Sequence, residues 1–130
     1  MNGKAHILIA DDEEDLRETL RILLEGEGYT VSEAADGAQA LNAIRTSSVP
    51  MVVLLDLLMP VMSGDAVLQA VAADPILAAR DVYLLLTANN RPLLTSVSQV
   101  LTALNVRFVA KPFDIDALLA EVAQAAARLP

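Results

Sequence analysis

The chain has 130 residues, of which 55% are hydrophobic and 20% charged, with no Trp and no Cys. This length predicts a single domain over residues 1–130 with an aliphatic core. The lack of cysteine excludes disulfides and thiolate metal sites, and a net charge of -8 argues against direct nucleic-acid binding, which needs clustered Lys and Arg. We find no secretory signal and no apolar segment long enough for a membrane span, so the sequence predicts a cytoplasmic protein.

Short apolar segments with β-branched residues alternate along the chain with segments of helical period. The predicted strands are residues 6–10, 29–34, 51–56, 81–87 and 106–110, and the predicted helices are residues 15–28, 38–47, 65–74, 91–104 and 114–129. Pro75 is expected to close the third helix, and Asp114 to cap the last. Because the strands are continuously apolar, helices must cover both faces of the sheet. This predicts an α/β fold: a (βα)5, doubly wound, flavodoxin-like parallel sheet in the order 2-1-3-4-5.

Polar side chains follow four of the predicted strands. Asp11 and Asp12 come after the first strand, and Asp56 ends the third. Thr87 ends the fourth strand, and Lys111 follows the fifth. Any one of these residues alone is more often a helix cap or a turn former. Strands one and three are neighbours where the strand order reverses, so we expect the three aspartates to converge in a crevice there.

Three carboxylates in one crevice repel each other unless a cation neutralises them. Ligands that are all oxygen favour Mg2+, then Mn2+, and disfavour zinc. Lys111 would add a fixed positive charge and Thr87 a hydroxyl donor, which together suit a phosphoryl group. Asp56 would then be the nucleophile that attacks phosphorus and forms an acyl phosphate.

These residues resemble the receiver domain of the two-component response regulator family, and the resemblance covers essentially the whole chain. It is carried by Asp11-Asp12, by the segment LLDLLMPVMSG with Asp56, Pro60 and Gly64, by Thr87-Ala88 and by Lys111-Pro112-Phe113. The resemblance implies that Asp56 accepts a phosphoryl group from a histidine kinase or a histidine phosphotransfer protein. It also implies that Asp11, Asp12, Asp56 and the backbone carbonyl of Leu58 hold Mg2+. Such a domain is a phosphorelay switch and not a conventional enzyme.

The same resemblance assigns the switching residues. Lys111 would pair with a phosphoryl oxygen, and the Lys111-Pro112 peptide bond would be cis. Thr87 and Phe108 would form a switch pair that alters the surface of the fourth helix, the fifth strand and the fifth helix. That surface could bind an output partner or a second copy of the chain. An aromatic residue on a strand can equally be core, so Phe108 is left open between switching and packing.

Several positions depart from the family pattern and keep alternatives open. Leu58 stands two residues after Asp56, where a phosphatase of the dehalogenase type needs a second aspartate, so that enzyme class is disfavoured. The stretch from Thr87 to Phe108 is longer than the commonest family pattern. A degenerate receiver that acts as a phosphorylation-independent interaction module is therefore the alternative. The domain is either a stand-alone receiver or a fragment of a longer regulator or hybrid kinase.

Overall fold

A computed structural model describes residues 4–88 and 98–130. Its strands are β1 (His6–Ala10), β2 (Thr30–Ala34), β3 (Met51–Asp56), β4 (Val82–Thr87) and β5 (Arg107–Ala110). They form one parallel sheet in the order β2-β1-β3-β4-β5, which confirms the predicted topology. The described helices are α1 (Glu14–Gly26), α2 (Gly37–Thr46), α3 (Gly64–Ala72), α4 (Pro75–Arg80), α5 (Ser98–Ala103) and α6 (Ile115–Ala127).

Helices cover both faces of the sheet, as the apolar strands predicted. Successive strand residues point to opposite faces, so Leu54 packs with α1 and α6, whereas Leu55 packs with α2, α3 and α4. All six residues of β3 are buried, because this strand lies in the middle of the sheet. Among the described residues, no helix has both the length and the apolar character that a membrane span requires.

The segment after α3 differs from the prediction. Pro75 was expected only to close the third helix, but α3 ends at Ala72 and Pro75 begins a further helix, α4. The carboxylate of Asp74 accepts hydrogen bonds from the amides of Ile76 and Leu77, which caps the new helix. Proline fits the first helical position because no amide hydrogen is needed there. The part of the chain that the structure describes therefore contains one helix more than the (βα)5 pattern predicts.

The last two predicted helices correspond to α5 and α6. Helix α5 is given from Ser98, so residues 91–97, the first half of the predicted segment 91–104, lie outside the described residues. Asp114 caps α6 as predicted, because its carboxylate accepts a hydrogen bond from the amide of Ala117 at 3.0 Å. The surface predicted to switch is therefore formed by α5, β5 and α6.

The C-terminal ends of α1 and α5 share one backbone arrangement. A residue just beyond each helix is left-handed: Gly28 has φ +99° and Asn105 has φ +53°. The following amide, of Tyr29 or Val106, donates to a carbonyl in the last turn of its helix, at 3.2 Å and 3.0 Å. Asn105 thus occupies a position that glycine usually fills, and asparagine tolerates this backbone conformation better than most residues.

Candidate functional site

The carboxyl ends of the central strands bring the predicted aspartates together. Asp11 follows β1 and Asp56 ends β3, which are neighbouring strands. One carboxylate oxygen from each of Asp11, Asp12 and Asp56 lies within 4.8 Å of the others. Asp11 is fully buried, Asp12 is exposed, and Asp56 is 8% exposed. The crevice therefore holds an acidic cluster of two buried aspartates and one exposed aspartate, and the buried Asp56 retains some access to solvent.

Lys111 reaches this cluster from the far edge of the sheet. It follows β5, and its Nζ lies 2.9 Å from Asp11 Oδ2 and 3.4 Å from Asp56 Oδ1. Its amide donates to the carbonyl of Thr87 at 2.8 Å, which ties the end of β5 to the end of β4. Thr87 is buried, and the Lys111–Pro112 peptide bond is cis. The geometry thus brings a cation between two of the three acidic side chains.

The crevice carries more negative charge than Lys111 can balance. Burial, then the negative charge of Asp11 and, to a smaller extent, that of Asp12, raises the pKa of Asp56 to about 6, although Lys111 opposes the rise. Burial disfavours the charged form of Lys111, but its hydrogen bond to Asp11 and the charges of Asp11 and Asp56 outweigh burial and raise the pKa of the ammonium. Three carboxylates facing one ammonium leave an excess of negative charge that a divalent cation would neutralise.

The donor atoms fit a small hard cation. All three side chains offer carboxylate oxygens, which are the ligands that Mg2+ prefers. In an octahedral shell with bonds of about 2.1 Å, ligand atoms lie about 3 to 4 Å apart, so one ion could contact all three after a small closure of the cluster. Leu58 lies two residues after Asp56 and is 55% exposed. The use of its carbonyl as a ligand stays a prediction.

Two glycines hold the loop between Asp56 and α3 by close backbone contacts. A Cβ atom at Gly64 would lie 2.4 Å from the carbonyl oxygen of Asp56, and the Gly64 amide donates to the carbonyl of Leu57 at 2.8 Å. A Cβ atom at Gly37, the first residue of α2, would lie 1.8 Å from the carbonyl oxygen of Met62. Only glycine allows these two approaches, so the loop is fixed against both helices.

The same loop contains a tight turn with an unfavourable backbone conformation. The amide of Met62 donates to the carbonyl of Pro60 at 2.7 Å, which closes a γ-turn around Val61. Val61 has φ +70°, a value that is rare for a β-branched residue. Its side chain is 81% exposed and Leu58 is also exposed, so the rim of the crevice presents two apolar side chains to solvent.

Sequence reasoning missed two residues that hold Asp11. Asp11 Oδ1 accepts a hydrogen bond from the amide of Glu13 at 2.9 Å, and the carbonyl of Asp11 accepts one from Arg17 at 2.8 Å. The first contact could have been predicted, because aspartate often binds the amide two residues later. The contact with Arg17 depends on how α1 packs beside β1, and no spacing in the sequence signals it.

Phe108 lies on β5, paired in register with Leu85 of β4. It is partly buried and packs against the core cluster on the face covered by α5. This position is compatible with a packing role and with a switching role, so the assignment of Phe108 as a switch residue stays a prediction.

Comparison with known proteins identifies the family and the fold. The sequence model described as the response regulator receiver domain matches residues 7–123. The chain belongs to this family. This receiver is 34% identical over 122 residues to the uncharacterized transcriptional regulatory protein YkoG of Bacillus subtilis, covering 92% of this chain and 50% of YkoG. It is 44% identical over 71 residues to the DNA-binding response regulator MtrA of Mycolicibacterium smegmatis, covering 55% of this chain and 31% of MtrA. The chain thus covers half or less of the length of these relatives.

Solved receiver structures share the architecture. The CheY-like response regulator receiver domain protein of Methanospirillum hungatei is 25% identical, with a TM-score of 0.81 and 94% of each chain covered. The response regulator TrrA of Thermotoga maritima, solved in complex with Mg2+ and BeF, is 29% identical, with a TM-score of 0.75 and 93% of this chain and 98% of TrrA covered. The chain is therefore a receiver domain of the two-component type, a family of phosphorelay switches.

Proposed function

We propose that Asp56 is the phosphoacceptor of this receiver and takes a phosphoryl group from a phosphohistidine of a histidine kinase or a histidine phosphotransfer protein. The observation that carries the proposal is the position of Asp56 in the crevice. Its carboxylate combines residual solvent access with a nearby cation, Lys111, and with the two further acids Asp11 and Asp12. Asp11 is buried and hydrogen-bonded at both carboxylate oxygens, so it is a poor nucleophile in comparison.

The transfer is a substitution at phosphorus. An oxygen of ionised Asp56 forms the new bond to phosphorus while the bond from phosphorus to the histidine nitrogen breaks; that nitrogen keeps the electron pair and takes a proton from water. Because the pKa of Asp56 is about 6, this side chain is ionised in most molecules at neutral pH. Lys111 then exchanges its contact with Asp56 for one with a phosphoryl oxygen, which balances the added charge.

The acids would hold the metal that this chemistry needs. Asp11, Asp12, Asp56 and the carbonyl of Leu58 would bind Mg2+, with Mn2+ as the alternative hard ion. The bound ion would supply positive charge to the phosphoryl oxygens. The Mg2+ present in the TrrA complex supports this choice of ion.

Switching would pass from the crevice to the surface of α5, β5 and α6. Thr87 is buried at the end of β4 and is tied through its carbonyl to Lys111, so its hydroxyl is well placed to follow a change at the phosphoryl group. Phe108 lies on the neighbouring strand and is only partly buried, so an inward movement of its ring would bury further apolar surface. The relatives named as DNA-binding response regulators support an output domain as the partner of this surface, with a second copy of the chain as the alternative.

The phosphoacceptor assignment is tested by intact mass after incubation with acetyl phosphate and Mg2+, with and without EDTA. Wild type should gain about 80 Da, the mass of one phosphoryl group, only in the samples without EDTA, in which Mg2+ is available to the protein. Asp56→Asn should gain nothing, whereas Asp116→Asn, which changes an exposed carboxylate at the start of α6, should behave like wild type. A gain in Asp56→Asn would refute the site. No gain in wild type with either acetyl phosphate or a phosphohistidine donor would favour the interaction module.

Lys111→Ala should separate phosphorylation from switching. The variant should still bind Mg2+, because removing a positive charge from an acidic crevice does not weaken a cation site. It should lose the phosphorylation-dependent change in hydrogen exchange at α5, β5 and α6, since no ammonium remains to pair with the phosphoryl oxygen. Lys111→Arg serves as the control that keeps the charge. If phosphorylation changed hydrogen exchange as much in Lys111→Ala as in wild type, Lys111 would have no role in switching.

A further inference from the structure

Asp11 is held at four of its polar atoms, each by a different part of the fold. Its amide donates to the carbonyl of Ala34 at the end of β2, at 3.1 Å. Its two carboxylate oxygens accept hydrogen bonds from the Glu13 amide and from Lys111 Nζ, each at 2.9 Å. Its carbonyl oxygen accepts a hydrogen bond from Nη1 of Arg17 at 2.8 Å. The last of these contacts is made by a side chain from outside the acidic crevice.

Arg17 bridges two elements that flank the crevice. It lies on α1, its side chain is 14% exposed, and its Nε donates to Glu33 of β2 at 3.1 Å. Burial disfavours the charged form of Glu33, but its hydrogen bonds to Arg21 and Arg17 outweigh burial and lower the pKa of that carboxyl. Glu33 is therefore a fixed anion that anchors the guanidinium. Arg17 is held at one end by β2 and holds the backbone of Asp11 at the other.

The carbonyl that Arg17 contacts belongs to the peptide group between Asp11 and Asp12. Because a peptide group is planar and joins the two Cα atoms, a hydrogen bond to its oxygen restricts the backbone rotations that orient both side chains. We infer that Arg17 is a positioning residue of the metal site, which sets the spacing of the Asp11 and Asp12 carboxylates without touching the ion. This inference rests on the Mg2+ site of the proposed function. Residues that orient metal ligands from behind commonly change metal affinity by about 10- to 100-fold when they are replaced.

Charge and positioning give opposite expectations at this residue. A guanidinium near an acidic crevice repels a divalent cation, so if its charge dominated, removing Arg17 would tighten Mg2+ binding. If positioning dominates, removing Arg17 weakens binding. Lysine would keep the charge but cannot reproduce the two-point contact, in which Nε meets Glu33 and Nη1 meets the Asp11 carbonyl. The sign of the change therefore distinguishes the two effects.

The test is the dissociation constant for Mg2+, measured by isothermal titration calorimetry on the full chain. Arg17→Ala should weaken binding about 10-fold, and Arg17→Lys should recover less than half of that loss on a logarithmic scale. Arg21→Ala is the matched control, because Arg21 also pairs with Glu33 but contacts Glu25 in place of Asp11. It should bind Mg2+ within about twofold of wild type. Urea unfolding in EDTA shows that each variant is folded.

The outcomes separate this inference from the proposed function. Failure of wild type to bind Mg2+ would refute the metal site and this inference with it. Binding by wild type with equal or tighter binding by Arg17→Ala would overturn the positioning role alone. Full recovery in Arg17→Lys would also overturn it, because a point charge would then suffice. If Arg17→Ala does not fold, Arg17→Lys decides alone, since it must bind Mg2+ measurably more weakly than wild type.

Discussion

The carboxyl group of Asp56 is stabilised in its protonated, neutral form when the crevice holds no metal ion. Burial is the largest cause, the charges of Asp11 and Asp12 add to it, and together they raise the pKa of Asp56 from 3.8 to about 6. The folded chain therefore binds this proton more tightly than the unfolded chain. The resulting stabilisation is fully present below pH 3.8 and is lost as the pH rises through about 6.

Asp56→Asn should consequently stabilise the metal-free protein at neutral pH. The gain in the free energy of unfolding should be about 2 kcal/mol larger at pH 7 than at pH 4, because each pKa unit corresponds to about 1.4 kcal/mol and the unfolded carboxyl is already partly ionised at pH 4. Urea unfolding in EDTA at both pH values measures it, with Asp116→Asn as the control. A difference between wild type and Asp56→Asn that does not change with pH would contradict the electrostatic account.

Val61 and Asn105 are two non-glycine residues with a left-handed backbone, and they differ in how well their side chains suit it. Val61→Asn should raise the free energy of unfolding by about 1 kcal/mol, because the valine side chain is exposed and its loss removes little packing. The reverse change, Asn105→Val, should lower it by about 1 to 2 kcal/mol. Urea unfolding of both variants checks the pair, and a loss of stability in Val61→Asn would show that the loop does not store backbone strain.

At the scale of elements, the contact between α2 and the loop after β3 controls how closely that loop approaches the sheet. Gly37 begins α2, and a Cβ atom there would overlap the carbonyl oxygen of Met62. Backbone atoms on both sides make this overlap hard to relieve. Gly26, the last residue of α1, has no heavy atom within 4 Å of an added Cβ.

Alanine at these two glycines should therefore have opposite effects. Gly37→Ala should lower the free energy of unfolding by about 3 kcal/mol, because the helix or the loop must move. Gly26→Ala should raise it by about 0.5 to 1 kcal/mol, because alanine restricts the unfolded chain at no steric cost. Urea unfolding at one pH measures both. Similar small changes in the two variants would mean that the loop yields easily.

The elements that could be predicted from sequence are those with a strong local pattern. All five strands were predicted to within about a residue at each end, because buried parallel strands are continuously apolar. Helix α4 was missed although Asp74-Pro75 is a recognisable helix start, since Pro75 was interpreted only as a stop. The γ-turn at Val61 and the approach of Gly37 to Met62 could not be predicted, because they depend on how separate elements pack.

For the whole molecule, the candidate site was predictable because it follows from topology. Once the strand order is known, the residues after β1 and β3 must meet, and the structure brings Asp11, Asp12 and Asp56 into one cluster with Lys111 beside it. The residues that hold the backbone of Asp11 in place could not be predicted. Arg17 and Glu33 belong to α1 and β2, and their contact with Asp11 arises only when those elements pack together.

The proposed Mg2+ site, with three acids in one crevice of a chain whose net charge is -8, predicts that the stability of the whole chain depends on divalent cations. Mg2+ at about 100 times its dissociation constant should raise the free energy of unfolding by about 2.7 kcal/mol, since binding favours the folded state. Asp56→Asn should show a smaller gain, because one ligand loses its charge. Urea unfolding with MgCl2, compared with NaCl at equal ionic strength, measures the effect. Equal stabilisation by the two salts would indicate only general screening.

The central claim is that Asp56 is the residue that carries the phosphoryl group. The most direct measurement is borohydride reduction of the protein after phosphorylation with Mg2+ present, followed by peptide mass spectrometry. An acyl phosphate is reduced to an alcohol, so the account predicts homoserine at position 56, in amounts that disappear with EDTA. Homoserine at position 11 or 12 instead, or a phosphorylated protein that yields no homoserine at position 56, would contradict it.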